Sequence, residues 1–232
     1  MTSQETSRHA PVDFSAQRMG ASADAVLAIA ITLLVIEIKR PEGDQLHSTH
    51  ALAEFLWQEK ASFLAFVLAF GVLWSVWRRH HMLIDNVDRL DRASASWHAP
   101  LLLFAAFLPF PTAMFGHAPG NELAVCLDAL TVAGLFGSEA IVKEFAWRRA
   151  TLAPGADPAQ IRTSADGSAA VAVFFLASAI LAWLTPWVWF AWFAAPLAAH
   201  FGGKLIARLR PPRRGSPLCS AVKIARRAES VG

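Results

Sequence analysis

Two adjacent histidines and three acids follow one another in a stretch whose residue types could bind a metal ion. They are His80, His81, Asp85, Asp88 and Asp91. Imidazole nitrogens and carboxylate oxygens are metal ligands, and residues three or four apart lie on one face of a helix. Arginines alternate with these acids, which favours helical ion pairs and would repel a divalent cation. A metal-binding protein or an enzyme is therefore an alternative function.

The chain around these residues is too apolar for a soluble domain of its size. Of its 232 residues, 55% are hydrophobic and 17% are charged. Runs without a charged residue extend over residues 61–77, 93–121 and 167–203, and roughly 20 apolar residues span a bilayer as a helix. The polar N-terminus shows no cleavable signal. The sequence therefore predicts an integral membrane protein.

Six transmembrane helices account for the apolar runs, which makes the predicted fold class all-α. The predicted spans are 19–38, 54–78, 93–115, 122–143, 167–184 and 187–207. Lys and Arg number 18 on one side of these spans and 3 on the other, and positive charge accumulates on the cytoplasmic side. Both termini should therefore be cytoplasmic, in a multi-pass protein of the cell membrane.

Three regions divide the predicted protein: a cytoplasmic arm (1–17), a six-helix domain (18–209) and a basic tail (210–232), which we expect to be disordered. Positive-inside bias explains the basic tail without a nucleic-acid partner. Tryptophans around the turn between the last two helices should be headgroup anchors: Trp183, Trp187, Trp189 and Trp192. The halves show no duplication typical of transporters, so a short unit that oligomerises around a pore is favoured.

Two acids, Asp128 and Glu139, lie in the predicted fourth helix, at a depth where a carboxylate is costly unless it is paired. They are candidate proton or cation stations. Interhelical hydrogen bonds, or positions near the membrane surface, would also explain them. The nearby Thr131-Val132-Ala133-Gly134 is only superficially like a potassium-channel filter, because the helix would use its carbonyls.

The first predicted helix carries one narrow apolar stripe that contains a hydroxyl. At about 100° per residue, Ile29, Leu33 and Ile36 share a face, and Thr32 lies beside them. Small residues that would allow close helix packing are Ala25 and Ala28. Such a stripe is typical of core or lipid contact as well as of a pore lining, so periodicity alone leaves its role open.

The segment 18–41 resembles the start of the prokaryotic branch of the transmembrane protein 175 potassium channel family. Arg18 and Asp24 occupy the register of the family's arginine and of its Phe-Ser-Asp motif, in which Ser22-Ala23 here replaces Phe-Ser. Further likeness lies in Ser62-Phe63, in Trp77 with His80-His81, and in Leu108-Pro109-Phe110-Pro111-Thr112.

This resemblance implies a homotetrameric channel for potassium and other monovalent cations, with the first helices around the axis. Ile29, Leu33 and Ile36 would then be apolar rings that form a constriction, and Thr32 a polar layer between them. An apolar ring blocks ions by dewetting, and a rotation that widens it would let a partly hydrated cation pass.

The resemblance also implies a network that locks the first helix to its neighbours. Arg18 and Asp24 would take part. A charge near a helix end in the membrane is costly unless it is paired, so a contact of either residue with His80 or His81 is one expectation, and extension of the side chain to water is the alternative. The resemblance implies no enzymatic activity, no catalytic residue, no resident metal and no cofactor besides the permeant ion. Since Ser22-Ala23 departs from the family motif, a nonconducting relative is a further alternative.

Overall fold

The structure is a computed structural model that describes residues 14–90, 92–149, 151–153 and 155–209. Its α-helices are α1 (Ala16–Ile36), α2 (Thr49–Gln58), α3 (Lys60–Asp85), α4 (Arg92–Phe107), α5 (Pro109–His117), α6 (Glu122–Arg149), α7 (Pro158–Leu181), α8 (Ala195–Leu197) and α9 (Gly203–Leu209). A 3-10 turn, Gly43–Leu46, precedes α2. The prediction of a helical fold is confirmed.

In the part of the chain that the structure describes, five helical segments are long and apolar enough to cross a membrane. They are Ala16–Ile36, Lys60–Asp85, Ala95–His117, Glu122–Arg148 and Pro158–Leu181. The predicted second helix is divided, because α2 ends at Gln58 and α3 continues to Asp85, beyond the predicted end at 78. α7 begins earlier than predicted, where the Asp157 carboxylate accepts a hydrogen bond from the Ala159 N–H at 2.8 Å. The predicted first and third spans agree with the structure to within three residues at each end.

A stripe of small and aliphatic residues packs α1 against α3 and α4. The buried residues are Ala16, Gly20, Ala23, Leu27, Ala30 and Leu34. Ala25 and Ala28, predicted to provide the close packing, are exposed instead. The spacing of three and four residues is the same in both sets, so periodicity could not decide which set faces the bundle.

The predicted third helix breaks into α4 and α5 at Leu108. Prolines at 109 and 111 lack backbone N–H groups, which removes two helical hydrogen bonds at this point. The chain nevertheless keeps its direction, since Leu108 has helical dihedrals and its carbonyl accepts the Thr112 N–H at 3.1 Å. The break therefore leaves one apolar segment, Ala95–His117, that can span a membrane.

A small sheet that the sequence did not reveal joins the segment before α1 to two helix connections at one end of the bundle. Its strands are β1 (Phe14–Ser15), β2 (Val87–Leu90) and β3 (Thr151–Leu152), in the order β1-β2-β3 with antiparallel pairing. Strands of two to four residues carry too little alternation to be predicted. The sheet places the start of α1, the α3–α4 connection and the α6–α7 connection on one side.

The predicted sixth helix, 187–207, is replaced by helical turns of several kinds. A 3-10 segment (Pro186–Ala194) leads into α8, a π-helical turn (Ala198–Gly202) and α9. Pro196 has no backbone N–H and therefore interrupts a regular α-helix. An added Cβ on Gly203 would lie 3.1 Å from the Gly167 Cα, so this segment packs closely on α7.

The predicted terminal regions fall largely outside the described residues. Residues 1–13 of the predicted arm and the whole predicted tail, 210–232, are not described. The remaining arm residues form β1 and the first residues of α1. The division of the chain into three regions stays a prediction.

Helix packing at Gly134 gives a direct test of the fold. A Cβ added there would lie 2.5 Å from Cζ of Phe104, whereas one added to Gly137, one turn further along α6, would meet its nearest atom at 3.9 Å. We expect Gly134→Ala to lower the free energy of unfolding by about 1–3 kcal/mol through overpacking. Gly137→Ala should be neutral or stabilising, because alanine favours helix by about 1 kcal/mol.

Thermal unfolding of both variants in detergent measures this difference. An equal midpoint for the two variants would contradict the close α4–α6 packing.

Candidate functional site

The residues predicted to line a pore lie on the face of α1 opposite its buried stripe. Ile29, Leu33 and Ile36 are 60%, 38% and 57% exposed, and Thr32 is also exposed. The Thr32 hydroxyl donates a hydrogen bond to the Ile29 carbonyl at 2.8 Å. Its proton is therefore used within the helix, and its oxygen lone pairs remain available to a cation.

One polar contact joins α1 to α3 near the predicted locking network. The Trp77 indole N–H donates to Asp24 Oδ1 at 3.0 Å, and His81 Nδ1 lies 3.5 Å from the same oxygen. The two rings also contact each other in a tilted arrangement, with centroids 4.6 Å apart and an angle of 41° between their planes. Asp24 and His81 thus meet, whereas the Arg18 side chain is exposed at the start of α1, and the locking role of these residues stays a prediction.

The two adjacent histidines point to different neighbours. His80 is 1% exposed and lies edge-on against His98 of α4, with ring centroids 5.2 Å apart. His81 lies on the α1 side and contacts Asp24. The predicted pairing with α1 therefore applies to His81, while His80 packs inside the bundle.

The two residues that replace the family's Phe-Ser pair take separate positions. Ser22 is exposed, and its hydroxyl donates to the Arg18 carbonyl in its own helix at 3.1 Å. Ala23 is fully buried in the packing stripe of α1. Asp24 contacts α3 with Ser22 and Ala23 at these two positions.

The alternative metal site does not assemble. His80 and His81 face apart, Asp85 and Asp88 are exposed, and Asp91 lies outside the described residues. Among the described residues, no group of three or more His, Cys, Asp or Glu side chains is placed to hold a metal ion. The geometry therefore gives this alternative no support.

Glu139 belongs to a buried ion-pair cluster between α6 and α7 that the sequence did not predict. Lys143 Nζ donates to Glu139 Oε1 at 2.6 Å, to Ser164 Oγ at 2.9 Å and to Ser168 Oγ at 3.2 Å. Ser168 donates to the other Glu139 oxygen at 2.9 Å. The spacing of four residues between Glu139 and Lys143 was the available signal.

Asp128 lies nearer the start of α6 and has a different environment from Glu139. It is 5% exposed and accepts a hydrogen bond from the Thr112 hydroxyl at 2.9 Å. Thr131, in the filter-like motif, sits within α6 and donates to the Leu127 carbonyl at 2.8 Å. That motif is therefore ordinary helix, as expected.

The described residues contain five membrane-length helices, with the Glu139–Lys143 ion pair in their interior, and this architecture is that of a multi-pass membrane protein. The model of the family described as endosomal/lysosomal potassium channel TMEM175 matches residues 18–109. A potassium channel of Chamaesiphon minutus is 37% identical over 144 residues, which cover 62% of this chain and 70% of that protein. A potassium channel of Streptomyces collinus is 37% identical over 100 residues, covering 43% of this chain and 47% of that one.

The fold agrees with these sequence matches. The crystal structure of a lysosomal potassium-selective channel TMEM175 homolog from Chamaesiphon minutus superposes with a TM-score of 0.63 and 27% identity. The match covers 81% of this chain and 97% of that one. The chain belongs to the TMEM175 family of endosomal/lysosomal potassium channels. This family consists of ion channels, so the chain is not an enzyme.

The α1–α3 contact predicts a specific effect of removing one N–H group. Trp77→Phe keeps a ring beside His81 but loses the hydrogen bond to Asp24. We expect the free energy of unfolding to fall by about 1 kcal/mol, because the lost hydrogen bond goes to a carboxylate that is partly solvated. Trp74→Phe is the control, since Trp74 is an exposed ring on the same helix. Equal shifts in thermal unfolding would contradict the link.

The buried ion pair predicts a large penalty when one partner is removed. Lys143→Met leaves the Glu139 carboxylate buried without its cation, which should cost about 3–5 kcal/mol of stability. Adding Glu139→Leu to this variant should recover part of the loss. The control is Arg148→Met, which breaks a partly exposed pair with Glu144 and should cost less than about 1 kcal/mol.

Thermal unfolding in detergent compares the three variants. A Lys143→Met variant as stable as Arg148→Met would show that the Glu139 carboxylate is not held in a closed interior.

Proposed function

We propose that this chain forms a potassium-permeable cation channel whose pore is lined by α1. The main support is the exposed face of α1, which carries Ile29, Thr32, Leu33 and Ile36. The relatives of this chain are named potassium channels. Large apolar side chains on a helix that is packed on its opposite face need lipid or another chain beside them. A second copy of α1 around an axis supplies that neighbour.

Ile29, Leu33 and Ile36 form the constriction in this proposal. Rings of such side chains exclude water from a narrow pore, and an ion cannot enter a dry segment without losing hydration energy. Thr32 lies between Ile29 and Leu33 in height, and its outward lone pairs offer a partial replacement for water. Selectivity among monovalent cations should be modest with a single hydroxyl layer.

Four copies are proposed for the assembly, following the resemblance of the α1 sequence to the family. The support within the protomer is the division of α1 into a buried stripe toward α3 and α4 and a free face opposite. That division suits a helix placed between its own bundle and a central axis. The Asp24 contact with Trp77 and His81 would then lock the pore helix to α3.

Six spans with both termini cytoplasmic are proposed for the topology. The β-sheet supports this by grouping the start of α1 with the α3–α4 and α6–α7 connections. The close approach of Gly203 to Gly167 supports a return of the last segment, Pro186–Leu209, along α7. Lys204 near its end suits the cytoplasmic surface.

Liposome flux tests the channel and its constriction together. Purified protein should carry potassium down a gradient, and Ile29→Asn should increase that flux several-fold, because an amide wets the constriction. Ile180→Asn is the matched control: it makes the same change at an exposed isoleucine of α7, 71% exposed, and should leave the flux unchanged.

Two results would contradict the proposal. One is the absence of any monovalent cation flux at every voltage and pH tried. The other is an equal response to Ile29→Asn and Ile180→Asn. The protein mass in detergent checks the assembly, which should be about four times the 25.2 kDa of the chain.

A further inference from the structure

Two buried acids lie on the same face of α6 but have opposite electrostatic surroundings. Asp128 and Glu139 are separated by three helical turns, which is about 16 Å along the axis. Val132 and Leu135 lie between them and are buried, and the buried Thr131 hydroxyl donates to the Leu127 carbonyl of its own helix. The two carboxyl groups are therefore separate sites rather than steps of one polar path.

The buried Glu139 carboxylate has both an opposite charge and hydrogen-bond donors beside it. Its two oxygens accept hydrogen bonds from Lys143 and from Ser168, and Lys143 provides a full opposite charge at 2.6 Å. An ionised carboxylate with a cation and a second donor can remain charged in a low-dielectric interior.

Asp128 lacks this compensation. Its only partner in the described part of the chain is the neutral Thr112 hydroxyl, and no Lys, Arg or His among those residues lies within ion-pair distance of it. A carboxylate buried at membrane depth with one neutral donor carries a large desolvation cost. Such a group needs either a proton or a bound cation.

A cavity beside Thr112 lies at the end of the bundle that carries Glu37, and the Thr112 hydroxyl connects its wall to the acid. It is lined by Thr112, Ser62, Glu37 and His117, among apolar side chains, and it is partly open. Its volume is about 10 Å³, close to what one water needs. Thr112 thus has the acid on one side and a water-sized space on the other.

Among the described residues, the charged and titratable groups at this end line the cavity or lie near it, and none of them pairs with Asp128. α1 contributes Glu37, α5 contributes His117, and Glu59 before α3 accepts the Ser62 hydroxyl at 2.8 Å and pairs with Lys39 at 3.6 Å. The halves of α4 and α7 at this end, and the segment Pro186–Ala194, contain no charged residue. The described surroundings therefore place water-sized space and titratable groups beside Thr112 and supply no fixed countercharge to Asp128.

We propose that Asp128 is a proton-binding site, occupied at neutral pH and exchanging with the outer solution through this cavity. The sidedness rests on the proposed topology, while the occupancy does not. Loss of the proton would draw water between α5 and α6. α5 also packs on α3, where an added Cβ on Gly116 would lie 2.9 Å from the Ser62 Cα, and it contacts α1. A change of outer pH would therefore alter how α5 packs against α3 and against α1, the proposed pore helix.

Infrared spectroscopy of the full chain in liposomes tests the site without relying on conduction. The neutral protein should show the carbonyl band of a protonated carboxylic acid, and Asp128→Asn should remove it. Glu122→Gln, which changes an exposed acid in the first turn of the same helix, should keep it. The same band in Asp128→Asn and in the unchanged protein would overturn the proposal, as would a band absent from both.

Two further measurements define the partner and the route. Thr112→Val removes the donor to the acid, so the band should move to higher frequency in a variant that still elutes as the folded protein; an unmoved band would overturn the assigned contact. Raising the outer pH at fixed inner pH should abolish the band, whereas loss only on raising the inner pH would overturn the route. A band that appears only when potassium is removed would identify a cation site instead of a proton site.

Because none of these readouts needs ion flux, they stand apart from the test of the channel. A protein without flux but with the Asp128 band would refute the proposed function and support the proton site. Flux with no such band would do the reverse.

Discussion

Close packing of α1 against α3 and α4 constrains most of what the protein presents to its surroundings. In lipid, helices gain little from burying apolar surface against one another, so small residues that allow close approach carry much of the association. Gly20, Ala23 and Ala30 provide that surface on α1. Once this stripe faces the bundle, the opposite face, with Ile29 and Thr32, is left for a pore or for lipid.

A few polar contacts between helices also stabilise this arrangement. Trp77 and His81 of α3 contact Asp24 of α1, and Lys143 joins Glu139 to the serines of α7. Each contact crosses from one helix to another, and each pairs a charge that lipid would not tolerate alone. Asp128 is the exception, with only a neutral hydroxyl as its partner in the described part of the chain.

Helix periodicity predicted much of the architecture and of the candidate site. Five of the predicted spans correspond to membrane-length helices, and the face shared by Ile29, Leu33 and Ile36 is a common exposed face. Three features were missed: the short sheet, the replacement of a regular sixth helix around Pro196, and the Lys143 cluster. Two of the tryptophans predicted as headgroup anchors, Trp189 and Trp192, are buried, and Trp192 donates to Ser178 at 2.7 Å.

The sequence by itself determined that the chain is helical and embedded in a membrane, since long runs without charge admit few other structures in lipid. It also placed the apolar stripe with its one hydroxyl on α1. Only the tertiary structure decided which face of α1 is buried, which histidine meets Asp24, and which intramembrane acid has a cation. Those outcomes depend on contacts between helices far apart in the chain, and the spacing within one helix is the same for either face.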